Sequence, residues 1–210
     1  MAELLSIVGR KLKDEYGRDL GRVISFRTTR SGEVRDFLVS ANGDYVYYPR
    51  ERIKVGEEGE PVLLSDVKLK ADSICSQLIL VCRKSSVLEK LLKEERVHNE
   101  TYKEFHETFE SEKGRLRREA EETIGEIERL EKDLYERYLK LHSIKTYIEI
   151  EYAVGRIGEE AYKLSMREVV KELDSVMRER EDLEKTRKWL TNILLGEEAE
   201  KESPIAVKIA

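Results

Sequence analysis

Two cysteines and three histidines are the residues of this chain best suited to bind a metal or to carry out redox chemistry. Cys75 and Cys82 are seven residues apart, which places both on one face of a helix, and neither belongs to a Cys-x-x-Cys pair. His98 and His106 could share a helix face, but no third ligand accompanies them, and His142 stands apart. The pattern favours buried thiols over a redox or metal role, so we expect no metal and no cofactor.

Other patterns typical of enzymes are missing from the sequence as well. The first 70 residues contain no His or Cys, and their Asp and Glu residues occur mostly at turns. The glycines lack the spacing of a loop that cradles phosphate. Without a nucleophile and base pair or a cofactor loop, we expect a protein that is not an enzyme and has no small-molecule substrate.

Basic residues near the amino terminus could bind an anion, either DNA or lipid head groups. The candidate residues are Arg10, Lys11, Lys13, Arg18 and Arg22. Acidic residues are interspersed among them and weaken the local field, so a solvated surface is the alternative interpretation. The formal net charge of -5 argues against a protein that binds nucleic acid over its whole surface.

The last residues of the sequence form a short apolar segment behind a charged linker. Residues 196–203 contain four glutamates, and Ile205, Val207 and Ile209 follow Pro204 at every second position. That spacing puts the three side chains on one side of an extended strand and is typical of a segment that adds a strand to another protein's sheet. A loose chain end is the alternative interpretation.

Residues 1–70 are predicted to form a small β domain. Short β-branched and aromatic runs alternate with turn signals, and Asn42-Gly43 is typical of a two-residue hairpin turn. Five or six short strands joined by tight turns suit a small closed barrel, because closure leaves no sheet edge exposed. With the helices that follow, the predicted fold class is α+β in several parts.

Residues 71–195 are predicted to be helical, because no proline occurs between Pro61 and Pro204 and 40% of the chain is charged. Breaks in the pattern near residues 95–99 and 155–158 predict two corners, with one helix of roughly 80 Å between them. Folding back at Gly155 gives a long antiparallel helical hairpin, or coiled coil. The predicted seam residues of the last helix are Tyr162, Met166, Val169, Leu173, Val176, Leu183, Leu190 and Leu194.

Part of the β domain resembles a known family. The segment from Val8 to Val23, together with Tyr48 to Ile53, is similar to the PRC-barrel domain, whose first hairpin follows the pattern G-x-x-V-x-D-x-x-G-x-x-[LI]-G-x-V. Leu12 stands where valine is common in that pattern. The resemblance covers about a third of the chain and implies a PRC-like barrel.

The order of the parts resembles the CdvA family of archaeal cell-division proteins: a PRC-like barrel, a helical hairpin with the corner Gly155 to Tyr162, and a tethered apolar tail. The resemblance implies a non-enzymatic protein that polymerises, associates with DNA and membrane at the division site, and recruits the ESCRT-III homologue CdvB. It also implies that Pro204, Ile205, Val207 and Ile209 are the recruiting residues, adding a strand to an incomplete winged-helix domain of that partner.

A cytoplasmic protein is expected, since no run approaches the ~18 apolar residues of a membrane span. The resemblance implies that it acts at the division site, near the membrane or nucleoid. The alternative function is a nucleic-acid or ribosome-associated adaptor. In that case the barrel would bind its target and the helices would only dimerise.

Overall fold

A computed structural model describes residues 6–56 and 59–196. Within these ranges the chain forms six strands followed by three long helices, which confirms the predicted α+β class. The strands are β1 (Lys11–Asp14), β2 (Asp19–Thr28), β3 (Val34–Ala41), β4 (Asp44–Pro49), β5 (Ile53–Val55) and β6 (Pro61–Leu63). The helices are α1 (Asp66–Lys93), α2 (Asn99–Ala153) and α3 (Glu159–Leu194).

The six strands of the described residues form one sheet in the order β4-β3-β2-β1-β6-β5. Neighbouring strands are antiparallel except for β1 and β6, which are parallel. The predicted closed barrel is not confirmed, because β4 and β5 stand at the two ends of this order and the sheet is open. Both β5 and β6 have only three residues, which leaves little ladder with which to close it.

The core of the sheet comes from alternate positions of its strands. Its buried residues are Ile7, Leu12, Val23, Phe37, Val39, Ile53 and Leu63. The predicted hairpin turn at Asn42-Gly43 joins β3 to β4, and both residues have positive φ angles, +53° and +93°. Such angles are those of a type I′ turn, which explains why this dipeptide suits the position.

Both helix corners use the same local hydrogen bonds. At the end of α1 the Arg96 N–H donates to Leu91 O at 2.9 Å, while Glu95 itself has a φ of +54°. At the end of α2 the Arg156 N–H donates to Glu151 O at 2.9 Å, and Gly155 has a φ of +75°. These bonds close a Schellman motif, in which the residue after the helix turns left-handed. The helix between the corners, Asn99–Ala153, is the one predicted from the sequence.

The chain separates into two compact units. Among the described residues, the sheet unit contains those up to Asp66 together with Lys132–Glu181, and the helical unit contains Val67–Glu131 together with those from Asp182 onward. In the sheet unit, the Ser175 hydroxyl of α3 donates to Tyr16 O at 3.1 Å. Strands and parts of α2 and α3 therefore share one unit.

The helical unit has a core of its own. Its buried residues are Ala71, Ile74, Cys75, Leu78, Leu116, Ala120, Leu190 and Ile193. The apolar run around Ile74 packs in this cluster against buried residues of α2 and α3. Lys68 is buried as well, with Nζ 3.2 Å from Oδ2 of Asp182, so the charge taken from water has a partner.

Candidate partner-binding site

The predicted recruiting residues Pro204, Ile205, Val207 and Ile209 lie outside the described residues, as does the linker after Gly196. The candidate surfaces within the described residues are therefore those of the helices and of the sheet.

The predicted seam of α3 falls into two groups. Leu173, Val176, Leu183 and Leu190 are buried, whereas Tyr162, Met166, Val169 and Leu194 are half-buried. Thr186 and Ile193 are also buried, although the seam pattern did not include them. The predicted spacing thus marks the inward side of α3, and the most buried positions lie in its second half.

Within the sheet unit, the end of α2 and the beginning of α3 pair in an antiparallel direction. The rings of Tyr152 and Tyr162 stack with centroids 4.1 Å apart, and the Arg137 guanidinium lies 2.6 Å from Glu172 Oε1. The Tyr162 hydroxyl donates a 3.1 Å hydrogen bond to Glu149, whose carboxylate raises the pKa of the phenol. These contacts hold the second corner as a helical hairpin.

The other side of α2 in this hairpin carries an apolar row, which Val154 continues one residue beyond the end of the helix. We call it the outer stripe: Leu139, Tyr147, Ile150 and Val154. Their exposed fractions are 49, 66, 49 and 62%. At 3.6 residues per turn they lie opposite Leu134, which is buried on the side facing α3. Ser143 continues the row between Leu139 and Tyr147 at steps of four. Large apolar side chains in a contiguous row mark a surface that contacts another molecule.

A second apolar surface lies in the helical unit, between α1 and α2 at the first corner. We call it the corner groove; it has a volume of about 410 Å³. Its lining residues are Arg83, Lys84, Val87, Leu88, Leu91, Val97, Thr101, Phe105 and Phe109. Val87 is 54% exposed and Phe105 is 47% exposed. Apart from the two basic residues and Thr101, the lining is aliphatic or aromatic.

Arg18, one of the predicted anion-binding residues, is held by three carboxylates of its own chain. Nη1 lies 2.6 Å from Glu179 Oε2 and 3.2 Å from Asp14 Oδ2, and Nε lies 3.2 Å from Glu172 Oε1 without hydrogen-bond alignment. Burial opposes the charge of the guanidinium, but the hydrogen bond to Glu179 and the neighbouring carboxylates outweigh it and raise the pKa of Arg18. The side chain therefore links the turn between β1 and β2 to α3 through ion pairs.

The other predicted anion-binding residues are not gathered into one site by such contacts. Lys11 Nζ lies 3.1 Å from Asp19, and this hydrogen bond lowers the pKa of the Asp19 carboxyl. Arg22 donates through Nη1 to Gly9 O, while Lys13 is exposed. Arg10 is exposed as well and approaches Gly59 with its guanidinium. Binding of an anion by this group remains a prediction.

The cysteines and histidines differ in their surroundings. Cys75 is buried, and burial raises the pKa of its thiol to about 12, whereas Cys82 is exposed although heptad spacing predicts one common face. His106 stacks on the ring of Tyr102. In residues 6–56 and 59–196, no group of three or more His, Cys, Asp or Glu side chains is placed to hold a metal ion. Across the same ranges, no helix has both the length and the apolar content for a membrane crossing.

Of the two apolar surfaces that were missed, the outer stripe has a signal in the sequence and the corner groove does not. The outer stripe follows steps of four, four, three and four from Leu139 to Val154, but the seam on the opposite side of the same helix is the stronger signal. The corner groove combines residues from two helices, and no single helical period contains Val87 and Phe105 together.

Comparison with known proteins gives two matches. The model of the CdvA-like coiled-coil domain matches residues 67–209. A relative, Cell division protein A of Sulfolobus acidocaldarius, is 26% identical over 183 residues, which cover 87% of this chain and 76% of the relative. No solved structure matches the chain.

Proposed function

This chain belongs to the CdvA-like coiled-coil family, and from that membership we propose that it is a non-enzymatic scaffold of cell division. It self-associates through its helices and recruits the ESCRT-III homologue CdvB at the division site. The recruiting residues are Pro204, Ile205, Val207 and Ile209, which add a strand to the partner's sheet. The observation that carries this function is the extent of the family match, which runs from α1 to residue 209 and so includes both the helices and the tail.

The outer stripe supports self-association. Its four large apolar residues stand in helical register on the side of α2 that faces away from α3, as in the seam of a coiled coil. When two copies of the stripe meet in opposite directions, the same apolar row of each copy is buried, so the surface is complementary to itself.

The alternative function, a nucleic-acid or ribosome-associated adaptor, receives less support from these observations. Lys11, Arg18 and Arg22 each have a partner within the chain, and Arg18 is the most deeply engaged of the three. A basic side chain that already neutralises carboxylates contributes little to the field that attracts phosphates. DNA or membrane contact would then depend on residues such as Lys13, whose side chain is exposed.

Calorimetric titration of CdvB with the full-length chain and with a chain ending at Ser203 tests the recruiting role. We expect the truncated chain to lose binding. A matched pair of variants tests the strand geometry. Exchanging Ile205, Val207 and Ile209 for Asp should abolish binding, whereas exchanging Ala206 and Lys208 for Ser, on the other side of the strand, should leave most of it.

Equal binding by the full-length and truncated chains would contradict the recruiting role of the tail. If neither chain binds CdvB and substitution of Lys13 weakens binding to DNA, the adaptor function is the better one.

A further inference from the structure

The corner groove lies beyond the end of α3 along the α1–α2 pair. Leu190 and Ile193 of α3 share a buried cluster with Leu116 and Ala120 of α2. Helix α3 ends at Leu194, one residue after the last of these contacts. The α2 residues that line the groove come 7 to 15 positions before Leu116, and there the pair lacks a third helix among the described residues.

The direction of α3 carries the chain toward the groove. Arg187 contacts Glu131 of α2 at 3.1 Å, and the later residues Leu190 and Ile193 contact the earlier α2 residues. Helix α3 therefore runs opposite to α2, toward the first corner. The end of α3 therefore lies between these contacts and the level of the groove along α2.

The linker is long enough to reach the groove. Phe109 and Phe105 lie 7 and 11 residues before Leu116, which corresponds to about 10 and 17 Å along α2. Residues 197–203 span at most ~25 Å when extended. The apolar residues after Pro204 can therefore arrive at the lining of their own chain without a change in the helices.

The chemistry of the segment matches that of the groove. The groove is lined by Val87, Leu91 and two phenylalanines, and such a lining favours an apolar occupant. The tail offers three aliphatic side chains, those of Ile205, Val207 and Ile209. The linker contains four glutamates, and Arg83 and Lys84 stand at the groove. Opposite charges beside an apolar contact orient a segment and favour its approach.

We propose that the tail of residues 204–210 docks in the corner groove of its own chain, with Ile205, Val207 and Ile209 against Val87, Phe105 and Phe109. The part of this inference that concerns regulation rests on the proposed function, since the docked residues are also those assigned to CdvB recruitment. A docked tail is withheld from the partner, so the apparent affinity for the partner is the intrinsic affinity multiplied by the fraction of tails that are free.

Disulfide trapping tests the docking without any partner. In a chain with Cys82→Ser, which removes the exposed native thiol, Val87→Cys is combined with Val207→Cys. The matched control combines Glu89→Cys with Val207→Cys. Glu89 is also exposed, but it lies two residues after Val87, about 200° around the same helix, and so faces away from the groove. Val87 is exposed, so its substitution leaves the core intact.

We expect mild oxidation to give an intramolecular disulfide at least tenfold faster with Val87→Cys than with Glu89→Cys, read as a monomer of altered mobility on a denaturing gel. Equal rates at the two positions, or no disulfide at either, would overturn the docking. A product of twice the mass would also overturn it, because the occupant would then be a second copy.

Binding to CdvB separates this inference from the proposed function. If about four fifths of the tails are docked, replacing Val87 and Phe105 with Asp should raise the affinity for CdvB about fivefold. CdvB should also lower the yield of the trapped disulfide. A fast intramolecular disulfide in a chain whose tail does not bind CdvB would support the docking and contradict the recruiting role. Binding of CdvB through the tail together with equal trapping rates would support the recruiting role and contradict the docking.

Discussion

Arg18, in the turn between β1 and β2, donates a 2.6 Å hydrogen bond from Nη1 to Oε2 of Glu179 in α3, 161 positions later in the chain. Asp14 and Glu172 complete the group of carboxylates around the same guanidinium. The side chain of Arg18 is only 17% exposed, so the ion pairs are poorly screened by water. The residue thus stabilises the packing of α3 against the sheet within their unit.

Replacing Arg18 with Gln should lower the free energy of unfolding by about 1–3 kcal/mol, because three carboxylates lose their cation. Urea denaturation followed by circular dichroism measures the change. Lys13→Gln, an exposed charge in the same segment, is the control and should change the midpoint little. Equal midpoints for the two variants, with a loss of DNA binding only for Arg18→Gln, would show that Arg18 is an anion ligand after all.

The effect of Arg18 should be independent of pH through the neutral range. Its pKa is raised in the folded state, so its contribution is fully present below the ordinary pKa of arginine and is lost only as the pH rises through the raised value. The difference in the free energy of unfolding between the wild type and Arg18→Gln should therefore stay constant when urea denaturation is repeated from pH 6 to 9.

Substitutions at the two helix corners should change the free energy of unfolding in opposite directions. Glu95 and Gly155 occupy equivalent left-handed positions, which cost a residue with a Cβ about 1 kcal/mol more than glycine. Glu95→Gly should therefore raise the free energy of unfolding by about that amount, and Gly155→Ala should lower it. Thermal unfolding by calorimetry measures both.

Gly125→Ala is the control for the corner variants. Gly125 lies in the middle of α2 with nothing within 4 Å of the position a Cβ would take, so the same exchange should stabilise the helix by about 0.5–1 kcal/mol. If Gly155→Ala and Gly125→Ala change stability in the same direction, the left-handed position at the corner does not decide the outcome.

Local signals explain which parts of the fold the sequence predicts well. Asn42-Gly43 requires positive φ angles and so marks its hairpin, and the breaks in the helical pattern near residues 95–99 and 155–158 mark the two ends of α2. The parallel pairing of β1 with β6 has no such signal. It joins Lys13 to Val62, and three-residue strands such as β5 are too short to show an alternating pattern.

The surfaces are harder to predict than the elements. The residues near Arg18 in the sequence indicate a basic patch. The local pattern cannot show that Glu172 and Glu179, which are distant in the sequence, lie against Arg18 in the fold. The seam of α3 is visible as a period of four and three. The corner groove combines side chains of α1 and α2, and therefore it becomes apparent only in three dimensions.

The two thiols should react in separate phases. The thiolate is the reactive form, and burial raises the pKa of Cys75 to about 12 while Cys82 is exposed. In native protein at pH 8, an aromatic disulfide reagent should modify one thiol within minutes and the second only after denaturant is added. Cys82→Ser should remove the fast phase. Two equally fast phases would mean that Cys75 is accessible in the native state.

The buried thiol also gives a dependence of stability on alkaline pH. Its pKa in the folded state lies above the ordinary value of 9.0, so the unfolded chain releases this proton first. The contribution is present below pH 9 and is lost as the pH rises from about 9 toward 12. In Cys75→Val, the fall in unfolding free energy over this interval should be smaller than in the wild type. Identical slopes in urea titrations of the two proteins would contradict it.

The outer stripe is tested by placing a charge on it. Ile150→Glu should weaken self-association at least tenfold, because a carboxylate in an apolar contact loses its water, and a two-fold interface contains the substitution twice. Ile144→Glu is the matched control, with the same exchange at nearly the same exposure, 47 against 49%. Six residues separate the two positions, which puts them about 120° apart around the helix.

Sedimentation velocity over a range of protein concentrations measures the effect, and circular dichroism confirms that both variants remain helical. If only Ile150→Glu shifts the chain toward monomer, the copies meet through the face of α2 that carries Leu139, Tyr147 and Val154. If both variants dissociate equally, the interface is not confined to that face, and if neither does, association depends on a different part of the helices.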